Sequence, residues 1–303
     1  MLLKEIMLKH LTLFICVLFT TISASAQSWP TRPIKLVVPF PPGGLIDNMA
    51  RLISGKLSQE LGQPIVIENK PGAGGNIGAT DVSKATPDGY TLLMASPPLT
   101  ISPALYSKLP YKPESLSPIG LIGRVPNVLV VSPDSGIQSL AELTSKAKSQ
   151  PGFLNYASNG QGTSLHLSAE LYKSMANVFI THIPYRGAAA GLTGVIAGEV
   201  NLMFDNLPSA LGLIQSGKLR ALAVTTQQRS NALPQVPTME EAGIKGYQVS
   251  AWFGLAAPTG LPANVQTRIE QALQTVSQQS DTKASMVKVG AEPTWLNAQA
   301  MSQ

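Results

Sequence analysis

Short apolar runs alternate with amphipathic helical patterns along almost the whole chain of 303 residues. The first helical pattern repeats on one face from Ile46 to Leu57, and another covers residues 265–276. Apolar strands that alternate with helices form parallel sheets covered on both faces, so the pattern predicts an α/β fold. The predicted strands are residues 34–39, 65–68, 91–95, 127–132, 153–157, 178–183, 200–204, 219–225 and 249–256.

Two proline-marked stretches interrupt this alternation. Residues 96–124 contain six prolines, and residues 233–237 read LPQVP. We interpret both stretches as crossings of the chain between two lobes. Two crossings predict that a second lobe is inserted into the first, with a cleft between the lobes where ligands prefer to bind. We therefore expect lobe 1 to comprise residues 27–125 and 248–303, and lobe 2 to comprise residues 126–247.

The first 26 residues have the pattern of a secretory signal peptide. A basic start with Lys4 and Lys9 precedes an apolar run over residues 11–22 and the small residues up to Ala26. The run is shorter than the ~20 residues that a membrane-spanning helix needs. Cys16, the single cysteine, lies inside it, which leaves no disulfide or thiolate site in the mature chain. We expect cleavage after Ala26 and a location in a Gram-negative periplasm.

The charge pattern indicates which kinds of partner the chain can bind. Charged residues make up 13% of the chain, and the basic residues behind the net charge of +5 are scattered instead of clustered. A nucleic-acid-binding surface would need a basic patch or stripe. The sequence therefore predicts no nucleic-acid partner and a mild preference for anionic ligands.

Two glycine-rich loops each join a predicted strand to a predicted helix. They are residues 40–47, FPPGGLID, and residues 69–78, NKPGAGGNIG. Such loops expose backbone N–H groups at the positive end of a helix dipole, and glycine lets a ligand approach closely. One such contact contributes about 0.3–1 kcal/mol, so several must converge to hold an anion. The alternative is that both loops are ordinary turns in which glycine only permits tight packing.

A third loop, residues 156–166, reads YASNGQGTSLH. Thr163 or Ser164 can cap the following helix and also donate a hydroxyl to a ligand. His166 is either a structural histidine or a ligand contact, since no carboxylate is spaced to form a metal triad with it and His182.

Enzymatic motifs are missing from the sequence. A dinucleotide fingerprint fails at Ile77, where its third glycine belongs, and neither a phosphate loop nor a G-x-S-x-G elbow occurs. Asp47 and Asp205 lie near strand ends of different predicted lobes, which favours loop-ordering roles over an acid/base pair. We predict no catalytic residue, no metal and no cofactor. An exported enzyme and a ligand sensor for a signalling partner remain the alternatives.

Eight segments, spread in order over the mature chain, resemble the receptors of tripartite tricarboxylate transporters, of the TctC or Bug type. The segments are 29–34 (WPTRPI), 38–47 (VPFPPGGLID), 69–78 (NKPGAGGNIG), 87–93 (PDGYTLL), 162–167 (GTSLHL), 184–187 (PYRG), 203–205 (MFD) and 219–225 (LRALAVT). The resemblance implies a two-lobed periplasmic binding protein of the Venus-flytrap type, similar to type II, in which each lobe is a mostly parallel sheet flanked by helices.

The resemblance also implies a function and a site. A monomeric receptor captures a small carboxylate (a di- or tricarboxylate, an acidic amino acid or an aromatic acid) and delivers it to integral membrane transporter subunits. In this family the first two loops grip one carboxylate through backbone amides and bridging waters. The implied ligand-binding residues are Phe40, Gly44, Asp47, Gly74, Gly75 and Asn76 in lobe 1, and Asn159, Thr163, His166, Tyr185 and Asp205 in lobe 2.

The sequence departs from the family pattern in three places. Arg186 stands where relatives commonly have lysine, and residues 193–195 read TGV where they have Thr-Asp-Leu. The chain also stops at Gln303, after the start of a helix that Asn297 can cap. Because relatives continue through a final helix, we expect a truncated chain with weakened stability.

Overall fold

The computed structural model describes residues 29–302, so the predicted signal peptide lies outside the described residues. No helix within that range is both long and apolar enough to cross a membrane. The strands are β1 (Ile34–Val38), β2 (Ile65–Asn69), β3 (Thr91–Ala95), β4 (Leu116–Val131), β5 (Asn155–Ser158), β6 (Thr181–Pro184), β7 (Leu202–Asn206), β8 (Arg220–Val224), β9 (Ser250–Pro258) and β10 (Glu292–Asn297). The helices are α1 (Leu45–Leu61), α2 (Asn76–Ser83), α3 (Pro98–Leu105), α4 (Leu140–Ser149), α5 (Ser164–Ala176), α6 (Ala188–Ile196), α7 (Leu207–Gln215), α8 (Ala263–Gln278), α9 (Ser280–Lys288) and α10 (Ala298–Met301).

The strands form two sheets that share β4. In the first sheet the order is β2-β1-β3-β9-β4, with β10 on the other side of β4; in the second, β4 is followed by β7, β5 and β6, and β8 also pairs with β4. The outer pairs β1–β2, β1–β3, β5–β6 and β5–β7 are parallel. Every antiparallel pair involves β4 or β9. The predicted α/β class, with helices flanking mostly parallel strands in a two-lobed architecture, is confirmed.

The first half of β4 corrects the sequence interpretation. Residues 116–124 belong to the stretch that its prolines mark as a crossing, but they pair with β9 and β10. Pro118 is accommodated because the register shifts between it and Gly120, so its missing N–H falls at an irregularity of the ladder. The strand β10 is likewise absent from the predicted set.

The predicted helix faces are the buried ones. Ile53 and Leu57 of α1 pack with Ile269 and Leu273 of α8 in the core of the first sheet, and each is at most 1% exposed. Truncating such a residue to alanine costs about 2–5 kcal/mol through lost burial and the remaining cavity. This core fixes α1, and therefore the loop in front of it, on the edge of the first sheet.

Thr225 connects the two sheets at the crossing. Its hydroxyl accepts the N–H of Asn127, 2.9 Å away, and donates to the carbonyl of Val249 at 2.7 Å. The two chain segments that pass between the sheets are thereby tied together. The lobe boundaries at 125/126 and 247/248 stay a prediction.

Candidate ligand-binding cleft

Two adjoining cavities lie where the loops of the two sheets face each other, with volumes of about 230 and 750 Å³. They share five lining residues, which are Phe40, Pro41, Asn159, Arg186 and Gly187. The smaller cavity adds Pro42, Gly44, Leu45, Ile46, Ala188, Ala189, Ala190 and Asn206. The larger adds residues 71–75 together with Tyr106, Gly160, Gln161, Pro184 and Tyr185.

Three helix N-termini converge on the smaller cavity. Gly44, Gly187 and Asn206 are the N-cap residues of α1, α6 and α7, and all three line it. None of these caps uses a side chain to accept a hydrogen bond from the first turn. The first-turn N–H groups and the positive dipole ends of three helices are therefore directed at one small volume.

Arg186 supplies the positive charge of the cleft. Arg186 is exposed and lines both cavities, and among the described residues no other lining residue of either cavity is charged. Within residues 29–302, no carboxylate forms a salt bridge with Arg186. A guanidinium is suited to bidentate binding of a carboxylate.

The two walls of the cleft touch beside the larger cavity. The hydroxyl of Tyr106 donates to the carbonyl of Gln161 across the cleft, at 3.3 Å. Gly74 has a left-handed φ of +64°, and a Cβ there would lie 2.4 Å from the same carbonyl oxygen. Glycine is thus required at this position both by the backbone conformation and by the approach of the opposite wall.

Asp47 lies behind the first loop and organises it. Its carboxylate accepts hydrogen bonds from the N–H of Gly43 at 3.0 Å, from Nε of Arg51 at 2.9 Å and from Nδ2 of Asn69 at 2.9 Å. Burial alone would raise the pKa of Asp47, but these hydrogen bonds and the Arg51 charge hold the pKa below its ordinary value. The side chain lines neither cavity.

Two further polar residues support the loops from behind. Asn76 is buried and accepts a hydrogen bond from the Tyr111 hydroxyl at 3.3 Å. Thr163 caps α5 by accepting the N–H of His166 at 3.3 Å, and its hydroxyl donates to the carbonyl of Gly160 at 2.8 Å. The contacts of Thr163 order the loop that ends in α5.

Asp205 is the most unusual polar group of lobe 2. It is fully buried on β7, and neither of its carboxyl oxygens has a hydrogen-bond partner among the described residues. Desolvation raises its pKa to about 7, while the nearby backbone of Asn206 acts in the opposite direction. Asp205 lines neither cavity.

The structure thus divides the residues that the sequence singled out. Those that line the cleft are Phe40, Gly44, Gly74, Gly75, Asn159 and Tyr185. Those placed behind it are Asp47, Asn76, Thr163, His166 and Asp205. Sequence reasoning missed the lining residues Pro41, Tyr106, Gln161, Gly187 and Asn206 and noted Arg186 only as a departure. Gly187 and Asn206 could have been found, because each follows a predicted strand within four residues and directly precedes a helix.

Several known proteins are similar to this chain over most of its length. A protein of Bordetella pertussis from the group UPF0065 is 42% identical over 264 residues, which are 87% of this chain and 82% of the relative. The structure of R. palustris Rpa4515 with adipate has a TM-score of 0.87 and 39% identity, and covers 90% of this chain and 92% of that one. The structure of MatC from Rhodopseudomonas palustris with bound malate has a TM-score of 0.83 and 34% identity, with coverages of 88% and 91%.

The family model described as "Tripartite tricarboxylate transporter family receptor" matches residues 49–303. That range includes the second glycine loop, the loop of residues 156–166 and Arg186. The resemblance inferred from the sequence segments is therefore confirmed, and the chain belongs to the TctC family of tripartite tricarboxylate transporter receptors.

Proposed function

We propose that this chain is a periplasmic receptor that captures a small carboxylate in the cleft and delivers it to the membrane subunits of a tripartite tricarboxylate transporter. The observation that carries the proposal is the convergence of three helix N-termini and Arg186 on one cavity. The similarity to receptors with adipate and malate supports the same ligand class.

Simple energetics indicate that the ligand also has an apolar part. Three helix N-termini contribute about 1–3 kcal/mol together, and charged hydrogen bonds from Arg186 add about 1.5–3 kcal/mol. Micromolar affinity requires about 8 kcal/mol. The difference must come from burial of hydrocarbon, for which Phe40, Pro41 and Ile46 line the small cavity. A carboxylate on a short carbon skeleton fits this division better than a bare inorganic anion.

The alternative to a binding protein is an enzyme. Ser158 lies 2.7 Å from Nε2 of His182, a distance that suits a nucleophile and its base. The serine is fully buried, however, and its hydroxyl oxygen accepts the backbone N–H of Gly160. Glu170, the nearby acid, is bonded to Tyr156 and Lys173. These contacts favour a structural role, and we propose a binding protein without catalysis.

Export and assembly complete the proposal. We propose cleavage after Ala26, release into the periplasm and action as a monomer without a nucleic-acid partner. Mass spectrometry of the protein purified from the periplasmic fraction should give the mass of a chain that starts at Gln27. A retained leader would contradict the cleavage site.

The ligand class is tested by thermal unfolding and calorimetry with adipate, malate and the uncharged adipamide. We expect the acids to bind and to raise the unfolding temperature, and adipamide to have no effect, because of the three only the acids carry the negative charge that the helix dipoles and the guanidinium favour. An equal shift by adipamide would contradict anion recognition.

The role of Arg186 is tested by Arg186→Gln against Arg124→Gln. Arg124 is an exposed arginine at the crossing, in a groove outside the cleft, and is therefore a matched control. Arg186→Gln should weaken acid binding about 10–100-fold, the value of charged hydrogen bonds of about 1.5–3 kcal/mol. Equal affinities of the two variants would show that Arg186 does not contribute to ligand binding.

A further inference from the structure

The loop between β5 and α5 is one of the parts of lobe 2 that meet lobe 1. Asn159, Gly160 and Gln161 line the larger cavity, and Gln161 receives the hydrogen bond from Tyr106. The backbones also approach closely, since a Cβ on Gly160 would lie 3.2 Å from Cα of Gly74. The position of this loop therefore decides whether the two walls of the cleft can touch beside the larger cavity.

Two histidines hold this loop from behind. Nδ1 of His166, on α5, accepts the N–H of Gly162 at 3.4 Å. Nε2 of His182, on β6, lies 2.7 Å from the hydroxyl oxygen of Ser158, and that oxygen accepts the N–H of Gly160 at 3.1 Å. One imidazole thus supports each end of the loop.

The groups around His166 and His182 disfavour a positive charge on either imidazole ring. The two imidazole rings are 4.7 Å apart, and His182 stacks on Tyr156 at 4.8 Å. The ammonium of Lys173 adds a like charge, whereas the facing acid, Glu170, already bonds Lys173 at 2.7 Å and the hydroxyl of Tyr156. His166 also lies in the first turn of α5, where the helix dipole disfavours a cation.

The pKa values follow from these contacts. Burial lowers the pKa of His166 and lowers that of His182 to about 4, with the charge of His166 as the next cause for His182. Glu170 acts in the opposite direction on both rings. The closed structure therefore contains two neutral imidazoles at neutral pH.

We propose that His166 and His182 are positioning residues, whose neutral rings keep the loop of residues 158–163 in the closed geometry, and that their protonation opens this wall and releases the carboxylate. The proposal rests on the receptor function. A protonated Nδ1 on His166 can no longer accept the Gly162 N–H, and two charged rings at this distance repel each other.

The direction of the pH effect follows from proton linkage. The closed cleft binds protons less readily than an open one, in which the histidines regain an ordinary pKa of about 6.5. Affinity is therefore complete above that pH and falls as the pH decreases toward the closed-state pKa of His182. One linked proton changes the affinity by up to about tenfold per pH unit.

The first test compares the parent protein with the double variant His166→Asn, His182→Gln. Asparagine places an oxygen near the position of Nδ1, and glutamine places a polar atom near Nε2, but neither side chain titrates. Calorimetry with adipate at several pH values between about 7.5 and 5.5 gives the ratio of the two dissociation constants, in which titration of the ligand cancels. We expect the parent to lose affinity relative to the variant by up to about tenfold per pH unit below about 6.5. A ratio that stays constant over this range would overturn the proposal.

The second test needs no ligand, so it separates failure of this proposal from failure of the receptor function. Long-range proton–nitrogen correlations in the unliganded parent should show His166 with its proton on Nε2. The amide of Gly162 should be protected at neutral pH and lose this protection as the pH falls, after correction for intrinsic exchange, whereas His166→Asn should keep it. A proton on Nδ1 of His166, or pH-independent protection of Gly162 in the parent, would overturn the proposal.

Discussion

The two walls of the cleft each bury an aspartate, and the two aspartates are in opposite situations. Asp47, behind the lobe 1 loop, accepts hydrogen bonds from three partners, one of them the positively charged Arg51. Asp205, at the end of β7 in lobe 2, has no partner for either oxygen among the described residues. The pKa of Asp47 is therefore lowered, whereas that of Asp205 is raised to about 7.

The two walls therefore respond to pH in different ranges. The lobe 1 loop is held by an ionised carboxylate, which stays charged until the pH falls below the ordinary aspartate range. The lobe 2 wall combines neutral imidazoles with a carboxyl group that burial drives toward its neutral form. Acidification near neutral pH therefore acts on lobe 2 and leaves the lobe 1 loop unchanged.

The largest expected effect is that of Asp205→Asn. A raised folded-state pKa means that Asp205 destabilises the protein progressively as the pH rises from about 4 to 7. The shift from 3.8 to about 7 corresponds to at most about 4 kcal/mol of unfolding free energy. Urea unfolding at about pH 8 and about pH 4 should show that the variant gains stability relative to the parent only at the higher pH. An equal difference at both pH values would mean that the folded protein does not raise the pKa of Asp205.

Asp47→Asn should change the free energy of unfolding in the opposite direction and by a smaller amount. The carboxylate loses its charge, and the amide cannot accept all the hydrogen bonds from Gly43, Arg51 and Asn69, so unfolding should require about 2–3 kcal/mol less free energy near pH 7. Because a lowered pKa stabilises the folded state only above the acid range, this loss should shrink as the pH falls through the folded-state pKa. A urea series extended from neutral pH to below the ordinary aspartate range provides the measurement, and a stability loss that stays constant over that range would contradict an ionised Asp47.

The contact between the walls gives the smallest of the expected effects. In Gly74→Ala the new methyl group would meet the carbonyl of Gln161 at 2.4 Å, whereas in Gly43→Ala nothing lies within 4 Å. Both glycines have positive φ, so both variants carry a similar backbone strain of about 1–2 kcal/mol. We expect Gly74→Ala to bind adipate at least about tenfold more weakly, or about 1.4 kcal/mol.

Small-angle scattering provides the structural readout for this pair. The parent and Gly43→Ala should become more compact with adipate, and Gly74→Ala should not, because the methyl group keeps the walls apart. Equal compaction of both variants would show that the walls do not meet at Gly74 when the ligand is bound.

The α/β class, the buried faces of α1 and α8 and the positions of the glycine loops could all be predicted from the sequence. These features are local: periodicity follows from helix and strand geometry, and glycine is required where φ is positive. The resemblance of eight segments also determined the family. The first half of β4 could not be predicted, because its prolines read as loop signals and only the partners β9 and β10 make it a strand.

Which polar residues line the cleft could not be predicted from the sequence. All five buried residues lie close in sequence to cleft-lining residues, yet none of them lines either cavity: Asp47, Asn76, Thr163, His166 and Asp205. The direction of a side chain at a strand end depends on what packs behind the loop, and those partners come from distant parts of the chain. For the same reason the meeting of three helix N-termini at Arg186 was not visible in the sequence: α1, α6 and α7 are separated along the chain, and the packing of the two sheets brings their first turns together.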